Sequence, residues 1–249
     1  MRQGVQLALL KQSDLGLIKP LQIHNGKKNT ALLLLHGFSS TPAVFRHLLT
    51  GLTGYDTVII PCLPGHGNSL NQFSSFNRAE LFDYAEKTCA YLTDEFEQVD
   101  VMGLSLGGLL ACHLSQMFKL RHLYLLAPAL DLHLNIGVNI ALARSLKSLG
   151  FCYLRNAAGG LFTDHSCEIA FRQLPLTAII EILSLINEFT FIPPTCPTDL
   201  LLGQHDKVVN TQAVAARFAN NAQTTTHWLS HSAHVLPLDG DIEQIINLF

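Results

Sequence analysis

Charge is scarce in this sequence, and what there is does not cluster. Sixteen Lys and Arg and 19 Asp and Glu in 249 residues leave a formal net charge of -3. No basic run or stripe occurs, which argues against nucleic acid as a partner. Cysteine is sparse and scattered: Cys62, Cys89, Cys112, Cys152, Cys167 and Cys196 form no C-x-x-C pair. Cysteines set singly in apolar runs behave as small hydrophobes, so neither a disulfide framework nor a metal site is expected. No run is apolar enough to span a bilayer; residues 176–192 come nearest but contain Glu181 and Glu188. The apolar stretch Leu7–Leu10 is too short for a signal peptide, and no small-residue cleavage site follows it. The expectation from these absences is a cytoplasmic chain with no metal, no organic cofactor and no stable membrane insertion.

What is present is apolar: 48% of the residues are hydrophobic, enough for one substantial core. Short apolar runs bounded by turn residues predict strands at Ala31–Leu35, Thr57–Ile60, Val99–Gly103, His122–Ala127, Thr198–Gly203 and Thr224–Leu229. Most are continuously apolar, as in strands covered on both faces. Helical patterns fall between them, at Ala43–Leu52, Arg78–Phe96, Gly107–Phe118 and Thr211–Asn220, with a last helix over Asp241–Phe249. This alternation predicts an α/β fold, a mostly parallel central sheet with helices on both faces. Val5–Leu10 and Leu17–Ile23 read as an antiparallel lead-in pair, with Pro20 counting against the second. Residues 131–195 break the alternation with helical segments at Asn139–Leu149, Glu168–Arg172 and Leu176–Glu188. The chain therefore divides into a core of residues 1–130 and 196–249 and an insertion of residues 131–195.

The stretch VDVMGLSLGGLLACHL, residues 99–114, sets one hydroxyl between glycines where a strand gives way to a helix. Gly103-x-Ser105-x-Gly107 fits a sharp strand-to-helix turn that lifts a nucleophilic serine clear of the sheet. The competing reading is a Gly-rich turn whose serine only caps the helix. A serine needs a base, usually His oriented by an acid, and in this arrangement the acid precedes the His in the chain. Asp206 follows the strand Thr198–Gly203, and His234 follows Thr224–Leu229. Both therefore lie at strand C-terminal ends, the edge where open α/β sheets place their sites. His231 competes with His234 as base, and Asp131 with Asp206 as acid. An acyl-transfer site also needs donors for the developing oxyanion. The backbone N–H groups of Leu106, beside the serine, and of Phe38, in the loop after Ala31–Leu35, are the candidates. His36 is read as a brace for that loop and His66, in PGHGNS, as structural.

These motifs resemble the α/β-hydrolase family, and more narrowly its bacterial carboxylesterase and monoacylglycerol lipase branch, often grouped with serine aminopeptidase-like hydrolases. The resemblance is carried by LLLLHGFSSTP, LPGHGNS, VMGLSLGG, LLGQHDKVV and SHSAHVLPLD, in the family's order, and runs from Thr30 to the end. It implies Ser105 as nucleophile, Asp206 as acid, His234 as base, and residues 131–195 as a helical lid. The sequence departs from the family pattern at His231, where a less basic residue is usual. The expected activity is hydrolysis of a small-molecule carboxylic ester with a short to medium acyl chain, monoacylglycerol included. Ile136 and Ile140 belong to the apolar surface of the insertion that would meet the acyl chain. Thioesters, peptide bonds beside a free N-terminus and carbon–carbon bonds are alternatives on the same triad, and a non-catalytic binding protein is the alternative from another class.

Overall fold

A computed structural model describes residues 16, 18–24, 29–67, 69–156 and 160–249. The elements, in chain order, are β1 (Leu21–His24), β2 (Thr30–Leu35), β3 (Thr57–Ile60), α1 (Leu70–Ser75), α2 (Arg78–Glu95) and β4 (Gln98–Leu104). They continue with α3 (Leu106–Met117), β5 (His122–Leu126), α4 (Ile136–Ser148), β6 (Tyr153–Arg155), β7 (Gln173–Pro175) and α5 (Leu176–Glu188). The last are β8 (Thr198–Gly203), α6 (Thr211–Phe218), β9 (Thr224–Leu229) and α7 (Ile242–Ile246).

Seven strands form one sheet in the order β1-β3-β2-β4-β5-β8-β9. All neighbours are parallel except β1, which runs antiparallel to β3. The inner parallel strands are largely apolar on both faces, and their period of two divides the core. Leu33, Leu35, Val99, Val101, Leu123, Leu125, Leu200 and Leu202 point into one buried cluster. Leu32, Leu34, Met102, Leu104, Tyr124, Leu126 and Leu201 point into the other. Strand order reverses between β2 and β4, because β3 lies on one side of β2 and β4 on the other. That switch point opens a crevice at the strand C-terminal ends.

The six predicted strands are all present, and α2, α3 and α5 fall where the periodicity puts them. Four readings need correction. Ala43–Leu52 is not an α-helix but two 3-10 turns, Pro42–Phe45 and Leu49–Gly54. Gly51 and Gly54 lower the α-helical propensity there, and Gly51 packs so close to Ile246 that a Cβ would stand 2.6 Å from it. Glu168–Arg172 is irregular and not helical, because its backbone bonds to the core: Phe171 N–H donates to Ser39 O at 3.3 Å and Thr41 Oγ1 to Ile169 O at 3.2 Å. The last helix shrinks to α7, with Asp241 turned toward the preceding loop. The strand at the N-terminal end of the described residues, β1, pairs with β3, while Val5–Leu10 lies outside the described residues. One helix escaped the sequence pattern: α1 is a short element capped by Ser69, whose hydroxyl accepts from Gln72 N–H. Among the described residues of 131–195 none belongs to a strand of the main sheet. They hold α4 and α5 and also the antiparallel pair β6–β7, so the insertion is not wholly helical.

Candidate active site

The turn between β4 and α3 sets the site's geometry. Ser105 has φ 55 and ψ -112, a conformation that costs a non-glycine residue about 1–3 kcal/mol and persists only where its surroundings enforce it. Those surroundings require glycine on each side. A Cβ on Gly103 would lie 2.1 Å from Gly107 O, and one on Gly107 would lie 1.9 Å from Leu35 O. The Ser105 backbone is held by its N–H to Leu126 O at 2.9 Å and its carbonyl to Ala129 N–H at 3.0 Å. Its side chain makes no helix-capping bond. The capping reading of this serine therefore fails.

The hydroxyl instead meets an imidazole. Ser105 Oγ lies 3.0 Å from His234 Nε2, and His234 Nδ1 lies 2.8 Å from Asp206 Oδ2. Nδ1 faces a carboxylate and so carries the proton, which leaves Nε2 free to accept from the serine hydroxyl. The second carboxylate oxygen of Asp206 accepts from Val208 N–H at 2.7 Å and Val209 N–H at 2.9 Å, which fixes its plane. Burial opposes charge on His234, but the Asp206 charge and hydrogen bond, with the Glu168 charge, outweigh it and raise the imidazole pKa above 6.5. Burial likewise opposes charge on Asp206, but His234 and the two backbone N–H groups hold its pKa below the ordinary carboxylate value.

The competing residues are engaged elsewhere. His231 is 67% exposed at its side chain and sits beside Ser230 Oγ at 3.0 Å and Asp241 at 3.4 Å. Asp131 forms an ion pair with Arg217, one of whose contacts is Nη2 to Oδ1 at 3.2 Å.

The loop after β2 comes against the serine. Leu106 opens α3, where an N–H has no acceptor within its own helix. Phe38 N–H makes no backbone hydrogen bond among the described residues. Its ring packs on Phe73 at 5.1 Å between centroids. His36 braces this loop, as its position suggested: Nδ1–H donates to Gly37 O at 2.9 Å and Nε2 accepts from Leu63 N–H at 3.0 Å. Burial, with His66 nearby, drops the His36 pKa to about 3, so the brace is neutral. His66 donates from Nδ1 to Pro64 O at 2.9 Å and is buried, in keeping with a structural part. Ile136 and Ile140 are partly buried and pack against the larger core cluster.

Two carboxylates matter here whose importance sequence reading missed. Glu168 is buried and acts on the His234 imidazole through its charge. It lies in a segment that the sequence pattern reads as helical and that is irregular in the structure. Asp239 is buried and accepts from Ala233 N–H at 2.8 Å, Phe162 N–H at 2.7 Å, and both the N–H and the hydroxyl of Thr163 at 2.8 Å. It thus ties the loop of His234 to residues 160–163, where Gly160 O accepts from His234 N–H at 2.9 Å. A Pro-Leu-Asp tripeptide after a loop gives no sign of such a tie.

Among the described residues no group of three or more His, Cys, Asp or Glu side chains is placed to hold a metal ion. The six cysteines are free thiols.

A sequence model of the alpha/beta hydrolase family matches residues 32–246. The chain is 26% identical over 241 residues to the thermostable monoacylglycerol lipase of Bacillus sp. strain H-257, covering 92% of this chain and 91% of that one. Its fold is similar to that of a metagenome-derived lipolytic enzyme, with a TM-score of 0.83, 21% identity, and coverage of 93% and 95% of the two chains. A monoacylglycerol lipase of Paleococcus ferrophilus is similar with a TM-score of 0.71, 16% identity, and coverage of 92% and 95%.

Proposed function

The chain belongs to the alpha/beta hydrolase family, and on that premise we propose that it hydrolyses carboxylic esters through an acyl-serine intermediate on Ser105. The observation that carries this reading is the hydrogen-bonded line Asp206–His234–Ser105, anchored on a strained turn. As Ser105 Oγ attacks the ester carbonyl carbon, its proton passes to His234 Nε2. The carbonyl oxygen becomes an oxyanion held by the N–H groups of Phe38 and Leu106. Collapse breaks the bond to the alcohol, which leaves with the proton from His234. A water then gives its proton to the same nitrogen and attacks the acyl carbon, and the carboxylic acid departs as the proton returns to Ser105. Asp206 keeps the imidazole in one tautomer and stabilises its cation without taking the proton.

An ester is favoured as substrate because the relative matching over nearly the whole chain is named a monoacylglycerol lipase. Residues 131–195 act as a lid in this reading, with Ile136 and Ile140 on the apolar route that accepts a short to medium acyl chain. The test is hydrolysis of p-nitrophenyl esters of increasing chain length by the wild-type chain and by Ser105→Ala. Wild-type turnover is expected to peak beyond acetate. Ser105→Ala is expected to lose about 10⁴-fold or more in kcat, some 5 kcal/mol of barrier. An unchanged rate in Ser105→Ala would reject the assignment.

A further inference from the structure

We propose that the outer face of residues 134–154 is a docking surface for an anionic lipid bilayer. Thirteen large apolar side chains are exposed among the described residues, and seven of them fall in this one segment. Val138 and Leu142 share one stripe of α4 and Leu149, the residue that caps its C-terminus, follows at i+11, with exposures of 62%, 54% and 74%. Phe151 and Leu154 extend the apolar surface past the end of the helix. The inward side of α4 is already satisfied: Ala143 is buried, and Ile136 and Ile140 pack on the core. Among the described residues the outer stripe therefore packs on no other element, and a concentration of this kind marks an interaction surface.

Charge selects the partner. Between Asp131 and Asp164 the sequence holds no acidic residue, while Arg144, Lys147 and Arg155 make this tract +3 in a chain of net -3. All three basic residues are exposed. The acids of α5, the helix packed on α4, are held by Arg78: Glu181 accepts its backbone N–H at 3.0 Å and Glu188 pairs with Nη1 at 2.7 Å. An apolar stripe flanked by basic side chains and free of acids fits the interface of a membrane with anionic headgroups. With 13 residues α4 is about 20 Å long, too short to span a bilayer, so it would lie along the surface.

The surface is also tied to the rim of the candidate site at both ends. His133 N–H donates to Val208 O at 3.0 Å, next to the turn that holds Asp206. Asn156 Nδ2 donates to Ser39 Oγ at 3.1 Å, next to Phe38. Docking would bring that rim to the lipid.

The test is flotation of the full chain with ether-linked phosphatidylcholine vesicles, with and without ether-linked phosphatidylglycerol. These lipids contain no carboxylic ester, so the outcome is independent of the proposed hydrolysis. The chain is expected to float with the anionic vesicles and to dissociate as salt rises. Combined Val138→Ser, Leu142→Ser and Leu149→Ser should weaken binding by about tenfold or more. Combined Arg144→Gln and Lys147→Gln should cut the preference for phosphatidylglycerol by about twentyfold. Both variants should keep the wild-type melting temperature. No flotation at either composition, or equal flotation by the serine variant, would overturn the proposal. So would a dimer that the serine substitutions dissociate, since a second copy would then cover the stripe.

Discussion

Ser105 Oγ and His234 Nε2 stand 3.0 Å apart although 129 positions separate the residues in the chain. The contact exists because β4 and β9 both end at the same edge of a parallel sheet, and because the turn at Ser105 cannot relax. Gly103 and Gly107 leave room that any larger residue would fill. Replacing Gly107 by Ala is expected to lower stability by about 2 kcal/mol or more, since its Cβ would stand 1.9 Å from Leu35 O. Thermal unfolding of Gly107→Ala beside wild type measures this, and an unchanged midpoint would refute the steric argument.

Asp206→Asn keeps the shape of the side chain but turns the tautomer preference of His234 around. The expected loss is about 10³–10⁴-fold in kcat with little change in KM, measured on a soluble p-nitrophenyl ester.

The acid limb of kcat/KM should report the loss of the proton from His234, because only the neutral ring can act as base. Its pKa is raised above 6.5, so activity should fall as pH drops through a midpoint above that value. Glu168→Gln removes one of the charges that raise it, and should move the midpoint to lower pH. An unmoved limb would show that Glu168 does not act on the ring. The same shifts set stability. The His234 contribution is fully present below about pH 6.5 and is lost as pH rises through its folded pKa. The Asp206 contribution is present above its unfolded value and is lost as pH falls through its lowered folded pKa.

Asp239→Ala deprives five hydrogen-bond donors of their acceptor, a buried carboxylate that joins the His234 loop to residues 160–163. A loss of about 2–4 kcal/mol of stability is expected, with kcat falling by tenfold or more as His234 loosens. Urea unfolding and steady-state kinetics of the same variant would check both.

How much of this is legible in the sequence depends on how local the cause is. The inner strands of the sheet announce themselves as apolar runs such as Leu32–Leu35, because burial on both faces favours apolar side chains. The turn at Ser105 is equally local, since its glycines sit two positions away on either side. Asp206 and His234 could be selected because each follows a strand, and strand ends share an edge. The choice of His234 over His231 could not be made so directly. It depends on Asp241, which accepts from His231 N–H at 2.7 Å and Ser232 Oγ at 2.8 Å and so shapes the loop. Glu168 is illegible for a stronger reason. Its segment looks helical by composition but is drawn out by bonds to distant residues, such as Arg46 Nη2 to Cys167 O at 2.8 Å, 121 positions away. The 3-10 turns after Pro42 escaped in the same way, since the approach of Gly51 to Ile246 appears only in three dimensions.

The most direct measurement is reaction with a fluorophosphonate probe, followed by mass mapping of the modified peptide. The proposed mechanism predicts one adduct, on Ser105, absent in Ser105→Ala and strongly slowed in His234→Gln. A chain that hydrolyses esters while its adduct maps to another residue, or that labels equally after Ser105→Ala, would contradict it.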